Sequence, residues 1–192
     1  KLSEFYEELK RLNINVIRPD INTCFADFTS NGKDFLYALG AIKNVGYDAI
    51  SNVVEERKKN GKYINISDFI NRTNPKNINK LQLEGLVKAG AFDKINNNRQ
   101  SLFNSIPNII LKSKNNFENK LDNQINLFND DVKSKDDFLE KINDWNEDEK
   151  LSKEFETLGF FISDHPLNQY KSLFSQYNII DFEEFNTNEN IL

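Results

Sequence analysis

The stretch LGAIKNVGYDAISNVVEER, residues 39–57, decides how the chain is read. It opens on a short apolar element, Leu39 to Ile42, followed by Lys43-Asn44-Val45-Gly46. Apolar residues then return at helical spacing: Ala49, Ile50, Val53 and Val54, with Arg57 on the same stripe. That helix is expected to stop near Asn60-Gly61, since glycine takes the left-handed backbone that closes a helix.

A short apolar element, a tight turn and a helix make the shape of a helix-hairpin-helix, whose turn usually reads Gly-apolar-Gly. Asn44-Val45-Gly46 keeps that form with one departure. The turn needs positive φ, and Asn is one of the few residues besides Gly that visits the left-handed region cheaply. Such a turn aims the free N–H groups of the next helix outward, where with the helix dipole they can hold one phosphate. Contacts of this kind grip a duplex backbone and read no sequence. Lys43, Asn44, Val45, Gly46 and Tyr47 are therefore candidate backbone-binding residues, with Lys76 and Lys80 adding charge from a second helix–Gly–helix unit around LVKAGAFDKI. Lys88, Lys94 and Arg99 lie in or beside the same unit. An ordinary helix connection with Gly46 as a cap fits the pattern equally well.

Working outward, Leu2, Phe5, Tyr6, Leu9 and Leu12 predict an opening amphipathic helix, and INVIRPDIN a short strand stopped by Pro19. TCFADFTSNGKDFLYAL reads as a hairpin turning at Asn31-Gly32, with Cys24, Ala26 and Phe28 on one face and Phe25 and Asp27 on the other. Beyond residue 57, SDFINRT predicts a short helix capped by Ser67, and NINKLQLEGLVKAGAFD one capped by Asn77 or Asn79 and closed by Gly90. NRQSLFNSIPNIILK is a further helix that Pro107 should kink or break. Residues 112–143 lack an apolar stripe and read as a long mobile linker. Asn146 and Glu149 form a capping box before Leu151, Phe155 and Leu158, with Gly159 ending that helix, and Pro166 starts a last one. His165 reads as a helix-start residue and Trp145 as a core anchor. The fold class expected is mostly α with a small β-hairpin near the N-terminus and a helix-hairpin-helix within it.

Composition sets limits on this reading. At 38% hydrophobic, with sixteen Phe, 192 residues can bury a core. Thirty Asn suggest compositional drift, so Asn-rich runs are discounted as sites. Met is absent and residue 1 is Lys, which points to a segment of something longer. The single Cys24 excludes an internal disulfide and a Cys-rich zinc site, and reads as a small half-buried residue. No apolar run approaches a membrane span and no signal peptide is visible, which suits a cytoplasmic protein. Net charge is −5 overall but −1 over residues 1–42, +7 over 43–120 and −11 over 121–192. The middle can face an anion and the last third cannot.

Four blocks, RPDINTCFADF, LGAIKNVGYDAISNVVEER, NINKLQLEGLVKAGAFD and ETLGFFISDHPLNQY, stand in this order and spacing. Together they resemble the alpha subunit of the bacterial replicative DNA polymerase III, a family C DNA polymerase, from about Leu12 to Tyr170. The matching region is the end of its fingers and its clamp-binding domain. The resemblance implies a parent nucleotidyltransferase whose magnesium-binding palm aspartates lie outside this segment, so no catalytic or metal-binding residue is assigned here and no cofactor is expected. It implies four regions: the end of the fingers (1–42), a DNA-binding helix-hairpin-helix region (43–111), a loop (112–143) and helices leading to the next domain (144–192). It implies double-stranded primer-template DNA, the sliding clamp and other replicative holoenzyme subunits as partners, and no membrane. In that family the clamp-binding motif reads Gln, two variable positions, an apolar residue and Phe. QINLF, residues 124–128, fits it, with Gln124 at a pocket rim, Ile125 as spacer, and Leu127 and Phe128 as the apolar plug. A helix-hairpin-helix module of a repair nuclease or ligase, and a scaffold without DNA contact, are the competing readings.

Overall fold

The computed structural model describes residues 2–121, 136–177 and 179. Its elements follow from the sequence patterns with a few instructive exceptions. Helix α1 (Leu2–Arg11) leads into strand β1 (Asn15–Ile17), which pairs parallel with β3 (Asp34–Leu36). Strand β2 (Thr29–Ser30) pairs antiparallel with β3, giving the sheet order β1-β3-β2. The expected turn forms at Asn31-Gly32: Asn31 Oδ1 accepts the N–H groups of Lys33 and Asp34, and Gly32 takes φ +86°. The hairpin is shorter than its alternation suggests. Cys24 and Ala26 are buried, but Phe28 is exposed, because pairing begins only at Thr29. Phe28 instead stacks on Phe35 at 5.6 Å.

A 3-10 turn (Leu39–Ala41) and helix α2 (Tyr47–Asn60) follow, and all five stripe residues, Ala49, Ile50, Val53, Val54 and Arg57, are buried. Arg57 reaches the core because its guanidinium donates to the carbonyls of Ile21 and Cys24 at 2.7 and 2.8 Å. Burial alone works against that charge and pulls its pKa below the usual arginine value. The Cys24 thiol is fully buried, and desolvation pushes its pKa up to about 11, which keeps it protonated and inert.

Helices α3 (Ile66–Arg72), α4 (Lys80–Lys88), α5 (Arg99–Asn104), α6 (Ile106–Leu121) and α7 (Glu147–Leu158) build the rest. Four of these starts are closed by an asparagine: the side chains of Asn65, Asn79, Asn98 and Asn146 each accept an N–H from the first turn of the helix. Each such cap is worth about 1 kcal/mol. Asn65, not Ser67, caps α3. Ser67 lies one residue inside that helix, and its N–H is held at 2.8 Å by the Asp136 carboxylate. Pro107 does mark a break: α5 stops at Asn104 and α6 starts at Ile106, around the buried Ser105.

Residues 112–143 correct the linker expectation at both ends. α6 continues to Leu121, and from Asp136 onward the chain packs on the helices. Leu139 is buried, Ser105 Oγ accepts the N–H of Glu140, and Asn98 Nδ2 donates to the carbonyl of Ile142. Isolated anchors rather than a stripe hold this segment, so periodicity missed it.

In α7 the buried stripe is Leu151, Glu154 and Leu158, while Phe155 is exposed and rests on Phe161 at 5.0 Å. Glu154 takes the interior place because its Oε1 accepts the N–H groups of Ile162 and Ser163 at 2.7 and 2.9 Å. Tyr6 Oη donates to the Ile162 carbonyl at 3.1 Å, so this one carboxylate ties α7 to a segment that in turn holds α1. Glu154→Ala leaves two largely buried donors unpaired and should cost about 2–4 kcal/mol in a denaturant titration, whereas Glu154→Gln keeps an accepting oxygen and should cost clearly less. Gly159 closes α7 at φ +81°. A 3-10 turn (Pro166–Tyr170) starts at His165, whose Nδ1 accepts the N–H of Leu167, and leads to α8 (Lys171–Gln176). Trp145 is buried beside Phe103.

One hydrophobic core runs from Ile21 through Leu39, Ile42, Val45, Ile50 and Leu86 to Leu158 and Ile162. The packing crosses residues 42 and 43 without a seam. Among the described residues, no helix is long and apolar enough to cross a membrane.

Candidate nucleic-acid interface

The hairpin turn is built by backbone constraint. Asn44 sits at φ +66°, the left-handed conformation its position demands. Gly46 is extended at φ −80° and ψ 140°, and serves as the residue before α2. Among the described residues no side chain caps α2, unlike the four helices closed by asparagine. The first N–H groups of a helix have no partner within it. Those of α2 lie beside Lys43, Asn44, Gly46 and Tyr47, all exposed.

Val45 is different. Its side chain is buried in the core, and its N–H donates to the Ile42 carbonyl at 3.0 Å. It anchors the turn and presents no exposed side chain.

Two elements outside the hairpin hold this turn. The Lys43 N–H donates to the Thr157 carbonyl in the last turn of α7, at 3.0 Å. Helix α4 lies so close that a Cβ on Gly85 would stand 2.8 Å from the Lys43 carbonyl oxygen and 3.0 Å from Val45. Gly85 is therefore needed where it is, and a glycine inside LQLEGLVK was the available signal. The start of α4 reaches the same place: a Cβ on Gly46 would stand 3.1 Å from Gln82 Nε2. Lys80 is the first residue of that helix and exposed, with Glu84 3.7 Å away. Lys76 is exposed in the turn leading into α4.

The second helix–Gly–helix unit has the same outline and a different chemistry. Gly90 takes φ +75°, but the start of α5 is closed by Asn98, and Asp144 Oδ1 accepts the Gln100 N–H at 3.0 Å. Its cations are also committed. Lys94 pairs with Asp20 at 2.6 Å, Lys88 with Glu156 at 2.7 Å, and Arg99 makes two bonds to Asp93 at 2.8 and 2.6 Å. The Lys88 bond holds the Glu156 carboxyl below the usual range, with Lys153 and Lys43 contributing from further off. Of the two units, the first alone leaves its helix start uncapped by side chains among the described residues. Gln124, Ile125, Leu127 and Phe128 lie outside the described residues.

A model of the helix-hairpin-helix motif matches residues 13–102, which takes in both units. The chain is 38% identical over 188 residues to a DNA polymerase III subunit alpha of Borreliella burgdorferi, covering 94% of this chain and 16% of that protein. Subunits of the same name from Caulobacter vibrioides and Campylobacter jejuni are 35% and 34% identical over 167 and 189 residues, 87% and 95% of this chain and 15% of each relative. The chain belongs to the DNA polymerase III alpha-subunit family. It carries a helix-hairpin-helix region and spans about one sixth of the length of these relatives. The mostly helical architecture with a small three-stranded sheet agrees with the expected fold class.

Proposed function

We propose that this segment grips the backbone of primer-template DNA through the first hairpin and ties a replicative polymerase to its sliding clamp through Gln124, Ile125, Leu127 and Phe128. In this reading it carries no chemistry of its own. Nucleotide transfer and its magnesium belong to aspartates elsewhere in a parent cytoplasmic polymerase, and further holoenzyme subunits join outside the segment. The observation that carries the DNA grip is Asn44 at φ +66° before a helix that no described side chain caps. That geometry presents backbone donors to an anion, which suits phosphate and ignores base sequence.

Phosphate binding releases counterions, so affinity should fall steeply with salt and differ little between sequences. Lys43→Glu with Lys80→Glu should weaken duplex binding at low salt at least about tenfold. It should also flatten the plot of log affinity against log salt by about 0.9 for each phosphate that is no longer neutralised. Fluorescence anisotropy of a labelled duplex measures both. Unchanged affinity in the double variant favours a scaffold without DNA contact.

A further inference from the structure

The two ends of the Gln82 side chain are not equivalent. Its Oε1 accepts the N–H of Asn79 at 2.8 Å, while the Gln82 backbone N–H donates to Asn79 Oδ1 at 3.0 Å. With the oxygen held by that reciprocal cap, the Nε2 end is turned to the hairpin and lies 3.1 Å from where a Cβ on Gly46 would stand. Gly46 has no such atom, so Nε2 sits directly beside the open start of α2. Two elements thus bring N–H donors to one spot, the uncapped first turn of α2 and the fixed amide of Gln82. Lys43 flanks it. Asp48 in the same first turn works against a free anion there, so a fixed neutral donor matters more than it would in a purely basic site.

We propose, resting on the duplex-grip reading above, that Gln82 is a phosphate-contacting residue whose Nε2 donates to the same DNA phosphate as the first turn of α2. It joins α4 to the hairpin's phosphate subsite, and the missing side chain at Gly46 is what lets it reach. Gln82 then has two roles, one end capping α4 and the other binding DNA.

Gln82→Glu separates them. A carboxylate accepts the Asn79 N–H as well as an amide oxygen does, so the capping box survives. The donor is removed, and an acceptor faces the phosphate. Leu81→Glu, at an exposed neighbouring position, carries the same added charge and serves as control. In anisotropy titrations of a labelled duplex at low salt, Gln82→Glu should bind at least about tenfold more weakly than Leu81→Glu, the order expected for a bond to a charged oxygen. Its melting temperature should stay at or above that of the wild type. Gly46→Ala is a second variant. Its backbone accepts alanine without strain, and the methyl group displaces Nε2, so affinity should again fall. Equal affinities for the two Glu variants, or an unchanged affinity for Gly46→Ala, overturn the role of Gln82 and leave the duplex grip standing. A wild-type chain that fails to bind duplex at low salt overturns both.

Discussion

Replacing Leu127 and Phe128 together by alanine is expected to abolish retention of the chain on immobilised sliding clamp while leaving duplex affinity unchanged. The two side chains stand in an otherwise polar run, DNQINLFND. Burying both in an apolar cleft returns roughly 3–6 kcal/mol. The freedom lost on association offsets part of that, so the proposed contact is weak, no tighter than the micromolar range. Removing most of the buried area then moves the dissociation constant more than about a hundredfold, beyond what a pull-down retains. Gln124→Ala removes one rim hydrogen bond and should cost only about 0.5–1.5 kcal/mol, a graded loss that surface plasmon resonance can follow. Full retention of the double variant would remove the clamp from the proposed function and leave the DNA grip untouched.

On the proposed function a weak clamp contact would suffice, because both grips belong to one chain. With the hairpin on DNA threaded through a clamp, the second contact would form at an effective concentration set by their linkage and not by bulk protein. The charge distribution supports a division of labour. Residues 43–120 carry +7, whereas the motif is flanked by Asp122, Asp130 and Asp131, which phosphate repels. Duplex binding by the Leu127/Phe128 double variant should therefore keep its wild-type salt slope.

What sequence could and could not reveal divides along physical lines. The stripe of α2 was legible because five residues at helical spacing face one core, and all five are buried. The left-handed Asn44 was legible because few residue types tolerate that conformation and the turn demands it. Interactions between distant elements were not. Nothing in the sequence near Lys43 announces that its N–H is taken by Thr157, more than a hundred residues away. The buried Glu154 broke the rule that apolar residues mark the interior, because a carboxylate that holds two N–H groups can replace a phenylalanine there. The discount applied to asparagine was too broad. Among the described residues four asparagines close helices, while α2, which lacks such a cap, is the helix read as a phosphate site. Composition diluted the signal, and position restored it.

Two glycines with nearly the same backbone should respond very differently to alanine. Gly90 and Gly159 sit at φ +75° and +81°, so each substitution carries the left-handed penalty of about 1–2 kcal/mol. At Gly159 nothing lies within 4 Å of the added methyl group, and the cost should end there. At Gly90 the new carbon would stand 2.2 Å from Arg99 Nη2 and 2.8 Å from Asp93 Oδ2, inside the pair that closes the second unit. The Arg99 side chain is almost wholly buried; desolvation pulls its pKa down, but Asp93, together with Glu154 and Asp144, outweighs that and leaves it raised. Driving the two apart leaves a buried guanidinium without its carboxylate, a loss of about 3–5 kcal/mol. Gly90→Ala should therefore lower stability by about 4 kcal/mol or more and the melting temperature by about 8–16 °C, against about 2–8 °C for Gly159→Ala. Denaturant and thermal unfolding of both variants measure the difference. Similar losses at the two sites would mean that the Arg99–Asp93 pair can shift at little cost. The second unit would then owe its shape to α4 and α5 packing alone.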